Sequence, residues 1–381
     1  MIANILIIGS GISGVAIAYH LAHKGVKDIV VVDQSYMTSG ATGRCGAGVR
    51  QQWATKANCL MAKRSIEFFH DAATILDYAD DIEFKQEGYL ILATDQEEHE
   101  QFTNNVRLQN SLNIPSHQLS VSEARNIVPH LNPEAFVSAT FCPTDGHLNP
   151  FKMTDAYYQA AKRLGVTFLF FETVRAISIE SGRIEKVLTS KRTILTHHVV
   201  NASGGYACEV GKMAGIDIPV YSENHEILVT EPIEKIQGPM VMSFKKNIYC
   251  QQVPHGSFLM GRSTPNQVQG HDISSSWQFL EAMAETVCEI LPVIGKLRVV
   301  RQWGGSYNMS PDRQPIICEA PNLQGYTMAC GFSGHGFMFA PMTGVLISEI
   351  ILKEPPTLDV SLYHIDRFKK HTMDDIEKSV V

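Results

Sequence analysis

The first 33 residues narrow the choice of fold more than anything else in the chain. Ile5-Leu6-Ile7-Ile8 is a short apolar run of strand type, and Gly9-Ser10-Gly11-Ile12-Ser13-Gly14 follows it directly. Val15 to Lys24 is small and apolar with helical character, Gly25 marks a turn, and Ile29-Val30-Val31-Val32-Asp33 reads as a second strand. Strand, glycine turn, helix and strand in that order predict a parallel βαβ unit. Each glycine has a mechanical part: Gly9 permits the tight turn, Gly11 lets backbone N–H groups approach a pyrophosphate, and Gly14 lets the helix pack closely on the strand. An anion then rests on the helix N-terminus. Asp33 ends the second strand, where a carboxylate can accept hydrogen bonds from ribose hydroxyls. The four features agree on a dinucleotide site; the plainer alternative is an ordinary tight βα turn.

Two further glycine-rich segments stand near opposite ends of the chain. Ser39 to Trp53 forms a loop with two arginines, Arg44 and Arg50, and Gly331-Phe332-Ser333-Gly334-His335-Gly336-Phe337-Met338 leads through Phe339-Ala340-Pro341 into an apolar helix, Thr343 to Leu352. A glycine turn opening a helix presents N–H groups to an anion or to the polar edge of a ring. The pair implies a cofactor held from both ends.

Composition removes several classes. With 39 acidic against 32 basic side chains and a net charge of -7, the chain has no electrostatic footprint for nucleic acid. The apolar start is too short to span a membrane and lacks the pattern of a secretion signal, so a cytoplasmic protein without a membrane span is expected. The eight cysteines are scattered without a C-x-x-C pair, which signals neither a metal site nor a disulfide framework.

Taken with the strand-turn Val199-Val200-Asn201-Ala202-Ser203-Gly204-Gly205, these segments resemble the FAD-dependent D-amino-acid oxidase superfamily. The resembling branch holds sarcosine oxidase, glycine oxidase and the β subunits of multimeric sarcosine oxidase and proline dehydrogenase; the Arg44 to Gln52 run looks most like the proline dehydrogenase β subunit. The resemblance implies an α/β (α+β) fold, with a Rossmann-like FAD-binding domain on a parallel sheet and an interleaved substrate domain on a mixed or antiparallel sheet. Residues 1–80, 140–215 and 305–381 would form the first domain, and 81–139 with 216–304 the second. Helical spacing covers Ala57 to Tyr78, Glu97 to Leu112, Phe151 to Leu164 and Ser276 to Leu291; Tyr89 to Ala93, Ile227 to Val229, Phe258 to Met260 and Val299 to Arg301 read as strands.

The function so implied is oxidation of the C–N bond of a small or secondary amino acid, proline- or sarcosine-like, to an imine. FAD contacts are expected from Gly9, Gly11, Ile12, Ser13 and Gly14, and from Asp33 with Gln34. The loop adds Ala41, Thr42, Arg44, Cys45 and Gly46. Val174, Ala202, Gly204 and Gly305 contribute from the middle of the chain, and Gly334, His335, Gly336, Phe337 and Met338 from its end. No cysteine stands near Gly305, where monomeric relatives tether the flavin, so noncovalent FAD is expected. An FMN at an interface with an α-type partner subunit would lie near His147-Leu148-Asn149-Pro150; a homo-oligomer is the other assembly considered.

An arginine is the natural clamp for a substrate carboxylate because its planar fork bonds both oxygens. Arg50 matches the substrate-binding arginine of the sarcosine oxidase pattern. His225 and Glu226 are candidates to orient the amine or take its proton, and Tyr307 to donate a phenolic hydrogen bond to the carboxylate. Met338 stands where sarcosine oxidases place a lysine, Tyr307 where glycine oxidase has an arginine, and Leu259 where a lysine promotes reaction with oxygen. Met338 implies one carboxylate clamp fewer, Tyr307 disfavours a close match to glycine oxidase, and Leu259 implies a dehydrogenase. Two alternatives remain at this stage: an FAD-containing electron-transfer or assembly subunit without amine turnover, and a nicotinamide-dependent dehydrogenase.

Overall fold

The computed structural model describes every residue except 265, 266, 268, 370–376 and 378–381, so the end of the expected FAD-binding segment 305–381 lies outside the described residues. Its first sheet has six strands in the order Ile316–Glu319, Tyr326–Cys330, Val199–Asn201, Ile5–Ile8, Ile29–Val32 and Thr167–Leu169. All neighbours run parallel except the first pair. The unbroken apolar runs follow from burial on both faces: Ile5, Ile7, Ile29 and Val31 enter one hydrophobic cluster, while Leu6, Ile8, Val30 and Val32 enter another. Helices Ile12–His23, Lys56–Ile75, Pro150–Arg163 and Gly336–Leu352 cover the first face. Helix Ala207–Met213 and the antiparallel strands Val174–Glu180, Arg183–Thr189 and Thr193–Leu195 cover the second.

The second sheet has eight strands in the order Val299–Met309, Tyr221–Thr230, Phe258–Ser263, Ile248–Gln252, Met240–Ser243, Tyr89–Ala93, Ser138–Cys142 and His117–Leu119. It is antiparallel apart from the parallel pair of Met240–Ser243 and Tyr89–Ala93. Alternation again divides its faces: Leu90 and Leu92 pack under helices Val121–Ile127 and Trp277–Ile290, whereas Tyr89, Ile91, Met240, Met242 and Tyr249 share the other side. The division expected at residue 140 falls inside the strand Ser138–Cys142, and that at 305 inside Val299–Met309; both strands belong whole to this sheet.

Helices begin where side chains cap them. Thr55, Asp95, Ser120, Asn149 and Ser276 each accept a first-turn N–H, and Ser120 with Glu123 forms a reciprocal pair. The last long helix starts at Gly336, earlier than the Thr343 expected from its apolar run. Pro341 lies inside it without ending it. A proline forfeits one backbone bond, but Phe337, Phe339, Ala340, Pro341 and Met342 are all buried, and that packing decides the conformation. Among the described residues no helix is long and apolar enough to cross a membrane.

Candidate active site

The glycine turn after the first strand is built on contacts that admit no side chain. Gly9 has φ +107°, and a Cβ there would lie 2.3 Å from Ala202 O; a Cβ on Gly14 would lie 1.9 Å from Gly9 O. Helix and turn therefore touch backbone to backbone. Asp33 fixes the turn from the next strand: its Oδ2 accepts from Ser10 N at 2.7 Å and Ser10 Oγ at 2.8 Å, and its Oδ1 from Ser35 N at 2.9 Å. Gly9, Asp33, Gln34, Val174 and Ser203 line one cavity together with Glu172, Arg175, Tyr206 and Met213.

From that turn the 41–48 loop leads to a second cavity. Thr42 Oγ1 accepts from Ile12 N at 3.1 Å, which pins the loop to the helix N-terminus. Arg44 is spent on structure: its Nη1 donates to Gly304 O at 3.4 Å, Trp303 Nε1 donates to its carbonyl at 3.0 Å, and Gly305 admits its Cβ closely. Cys45, Gly46, Ala47, Gly48 and Arg50 then line the second cavity, facing Tyr89, Met240, Met242, Tyr249 and Tyr307. Its remaining wall is Ser333, Gly334, His335, Phe337 and Met338 at the start of helix Gly336–Leu352. Segments from the first fifty and last fifty residues thus meet at one cavity. Burial pushes the Cys45 thiol up to about 11, and its Sγ donates to Thr42 O, so it is no nucleophile at neutral pH.

Arg50 is buried at 3% exposure, with its guanidinium 3.7 Å over the Trp53 ring and Nη1 donating to Gln52 O at 2.6 Å. Burial draws its pKa below the usual value; Tyr89, Glu377 and Asp145 oppose that shift. A buried guanidinium fork beside apolar walls has the chemistry to receive a carboxylate on a small apolar body. Tyr307 and Tyr249 flank His225 in a stack of three nearly parallel rings, with centroids 4.2 and 5.7 Å from the histidine. His225 Nε2 lies 3.3 Å from the Tyr249 hydroxyl, and burial pushes its pKa down to about 3. His225 therefore stays neutral, and of the three rings only the tyrosines reach the cavity lining.

Glu226 points the other way. Adjacent strand residues face opposite sides of a sheet, so the neighbour of His225 turns from the cavity. Its carboxylate accepts from Ser276 N at 2.5 Å, Thr264 Oγ1 at 2.9 Å and Gln267 Nε2 at 3.3 Å. The expectation that Glu226 orients an amine or takes its proton is corrected accordingly: it ties Thr264, Gln267 and Ser276 to the sheet. His335 is likewise held by structure, its Nε2 3.0 Å from Arg313 O and its ring edge-on to Trp53. Asn149, expected near a second flavin, accepts from Phe151 N and Lys152 N and donates to Glu83, a helix cap. Tyr89, Met240, Met242 and Tyr249 were not foreseen; each sits on an apolar strand and reads as core.

The residues present fit FAD. The Gly9 and Gly14 cradle excludes any Cβ, Gly11 sits at a helix N-terminus, and the 41–48 loop, pinned to that helix through Thr42, lines the second cavity with Cys45 to Gly48. Ser306 Oγ and Asn308 Nδ2 are buried without a hydrogen-bond partner, beside the turns at Gly205 and Gly331.

Comparison with known proteins agrees with this geometry. Residues 4–350 match the family described as FAD dependent oxidoreductase. The sarcosine oxidase subunit beta of Rhodobacter capsulatus is 26% identical over 376 residues, covering 96% of this chain and 89% of that protein. Mitochondrial sarcosine dehydrogenase of Mus musculus is 27% identical over 98% of this chain, which spans only 42% of that longer protein. The crystal structure of L-proline dehydrogenase from P. horikoshii superposes with a TM-score of 0.91 at 36% identity, covering 96% of this chain and 98% of that one. With its glycine cradle, its two-ended cavity and a match across nearly its whole length, the chain belongs to the FAD dependent oxidoreductase family.

Proposed function

We propose that the protein is an amino-acid dehydrogenase that oxidises the CH–NH bond of a small secondary amino acid, with L-proline as the first substrate to test. The observation that carries this reading is Arg50: a buried guanidinium on the wall of a cavity that Met240, Met242, Tyr89, Tyr249 and Tyr307 also line. FAD, held noncovalently, supplies the acceptor for a hydride equivalent. The chain's own residues do the rest. Arg50 grips the carboxylate and fixes the α-carbon's position. The two methionines pack against the ring or N-alkyl group and keep water from the reacting face. The phenolic hydroxyls of Tyr249 and Tyr307 hydrogen-bond the substrate's polar edge, and the neutral His225 orients Tyr249 and does not take the amine proton, since a group at about 3 is a weak base.

Leu259 supports a dehydrogenase over an oxidase. Its Cδ2 would lie 2.9 Å from a Cβ on Gly46, so the position that resembles an oxygen-activating lysine is beside the flavin loop and carries no charge. The relatives favour amine turnover over a purely electron-transferring or assembly subunit, and the family match sets the nicotinamide alternative aside. The resemblance to a named subunit supports a partner of α type; an FMN at that interface would be noncovalent, because Asn149 is a helix cap without a nucleophile.

The test is anaerobic mixing of the yellow protein with L-proline and sarcosine. Bleaching of the flavin by at least one of them, followed by fast reoxidation with an artificial dye and slow reoxidation with oxygen, is expected. A flavin that no amino acid reduces would defeat the reading.

A further inference from the structure

Asp145 is fully buried and lies outside the cavity, yet it holds the segment that carries Arg50. Its Oδ1 accepts from Gln51 N at 2.7 Å and Gln51 Nε2 at 3.4 Å, and its Oδ2 from Gln52 Nε2 at 3.0 Å. The two residues that follow Arg50 therefore converge on one carboxylate. Gln52 is fixed further, donating to Tyr89 O at 3.1 Å and accepting from Thr140 Oγ1 at 2.8 Å. Arg50 is indexed to the same segment, since its Nη1 donates to Gln52 O and its own carbonyl accepts from Trp53 Nε1. On either side of the junction Gly48–Val49 pairs with Gly146–His147, so the residues before Arg50 and after Asp145 form one two-stranded clip.

We propose that Asp145 is the positioning residue of the substrate-carboxylate clamp: through Gln51 and Gln52 it fixes the Arg50 fork against Trp53, and its charge compensates the buried guanidinium before substrate arrives. A buried charge is costly unless compensated, and the Asp145 carboxylate, together with that of Glu377, opposes the effect of burial on the Arg50 guanidinium. Burial pushes Asp145 up to about 6, opposed by its bonds to Gln52 and Gln51 and by Arg50, so it is ionised above that pH. The proposal rests on the reading of Arg50 as the carboxylate clamp.

Its test is a substrate pair that differs only in the carboxylate, L-proline and pyrrolidine, with FAD content measured in parallel. Asp145→Asn keeps the volume but removes the charge and turns an N–H toward the Gln51 and Gln52 donors. It should raise KM for L-proline about tenfold, with a smaller change in kcat, while KM for pyrrolidine and FAD content stay within about twofold. Should Asp145→Asn fail to fold, Gln52→Met removes one donor of the brace and should shift the same preference in the same direction. An equal rise for both amines, or no rise for either, overturns the proposal. Arg50→Ala separates the two claims: loss of the proline preference there but not in the Asp145 and Gln52 variants sinks the brace alone, and a preference unchanged in Arg50→Ala sinks the clamp and the brace with it.

Discussion

Gly334 has φ +95°, and a Cβ there would fall 2.5 Å from Tyr307 Cε2, so the phenol ring lies flat against bare backbone. Gly334→Ala must therefore move either the turn or the ring. It is expected to lower stability by about 1–3 kcal/mol and to lower kcat/KM more than it lowers FAD content, checked by thermal unfolding and steady-state kinetics. At Arg50 the geometry of the fork matters as well as its charge: Arg50→Lys should recover little of the KM lost in Arg50→Ala, since a lysine cannot make a bidentate contact. These two residues stood out in the sequence because each meets a demand that few residue types can, a positive φ in one case and a planar, singly charged fork of donors in the other. Met240, Met242, Tyr89 and Tyr249 were not, because alternation along a strand says that a face is covered without saying whether protein or ligand covers it.

The strand Tyr221–Thr230 shows how an element divides labour between its faces. His225 stacks between two cavity tyrosines, while Glu226 binds Thr264 and Ser276, the cap of helix Trp277–Ile290. Glu226→Ala leaves the Ser276 N–H and the Thr264 hydroxyl without their acceptor, which should cost about 2–4 kcal/mol in denaturant unfolding with KM for the amino acid little changed. A rise in KM as large as that of Arg50→Ala would instead return Glu226 to the substrate. Sequence pattern gave a strand only over Ile227 to Val229, and the family resemblance extended it to His225 and Glu226 without assigning their faces, since neither is part of a strict apolar alternation. Helix starts were read to within a residue or so where a cap residue precedes them, as at Ser276 and Asn149. The start at Gly336 was missed because a proline and a glycine run outweighed burial in the local reading.

The molecule as a whole joins a parallel sheet covered on both faces to a mixed sheet that presents one face to the cavity, and the βαβ reading of the first 33 residues anticipated the former directly. The cut points between the two were less legible, because the chain passes from one sheet to the other several times and a strand carries no mark of which sheet it will join. Burial also sets a pH response. His20, His225 and His335 are each pushed down to about 3, chiefly by burial, from an ordinary value near 6.5. The unfolded chain therefore takes up protons that the folded one refuses, and this stability, complete above pH 6.5, is lost as pH falls toward 3. His198, pushed down to about 4, and His147 add to this, while Asp145, raised to about 6, and Glu223, also raised by burial, work in the opposite sense as a minority. The midpoint of thermal unfolding should drop by roughly 5 °C or more between pH 7 and pH 5 at fixed FAD concentration. The most direct test of the account is a titration of the FAD-loaded protein with tetrahydrofuran-2-carboxylate, a proline analogue that cannot be oxidised at nitrogen, followed in the visible flavin spectrum. The account predicts a saturable spectral change in the wild type and its loss in Arg50→Ala with flavin still bound; the same change at the same concentration in both proteins would contradict it.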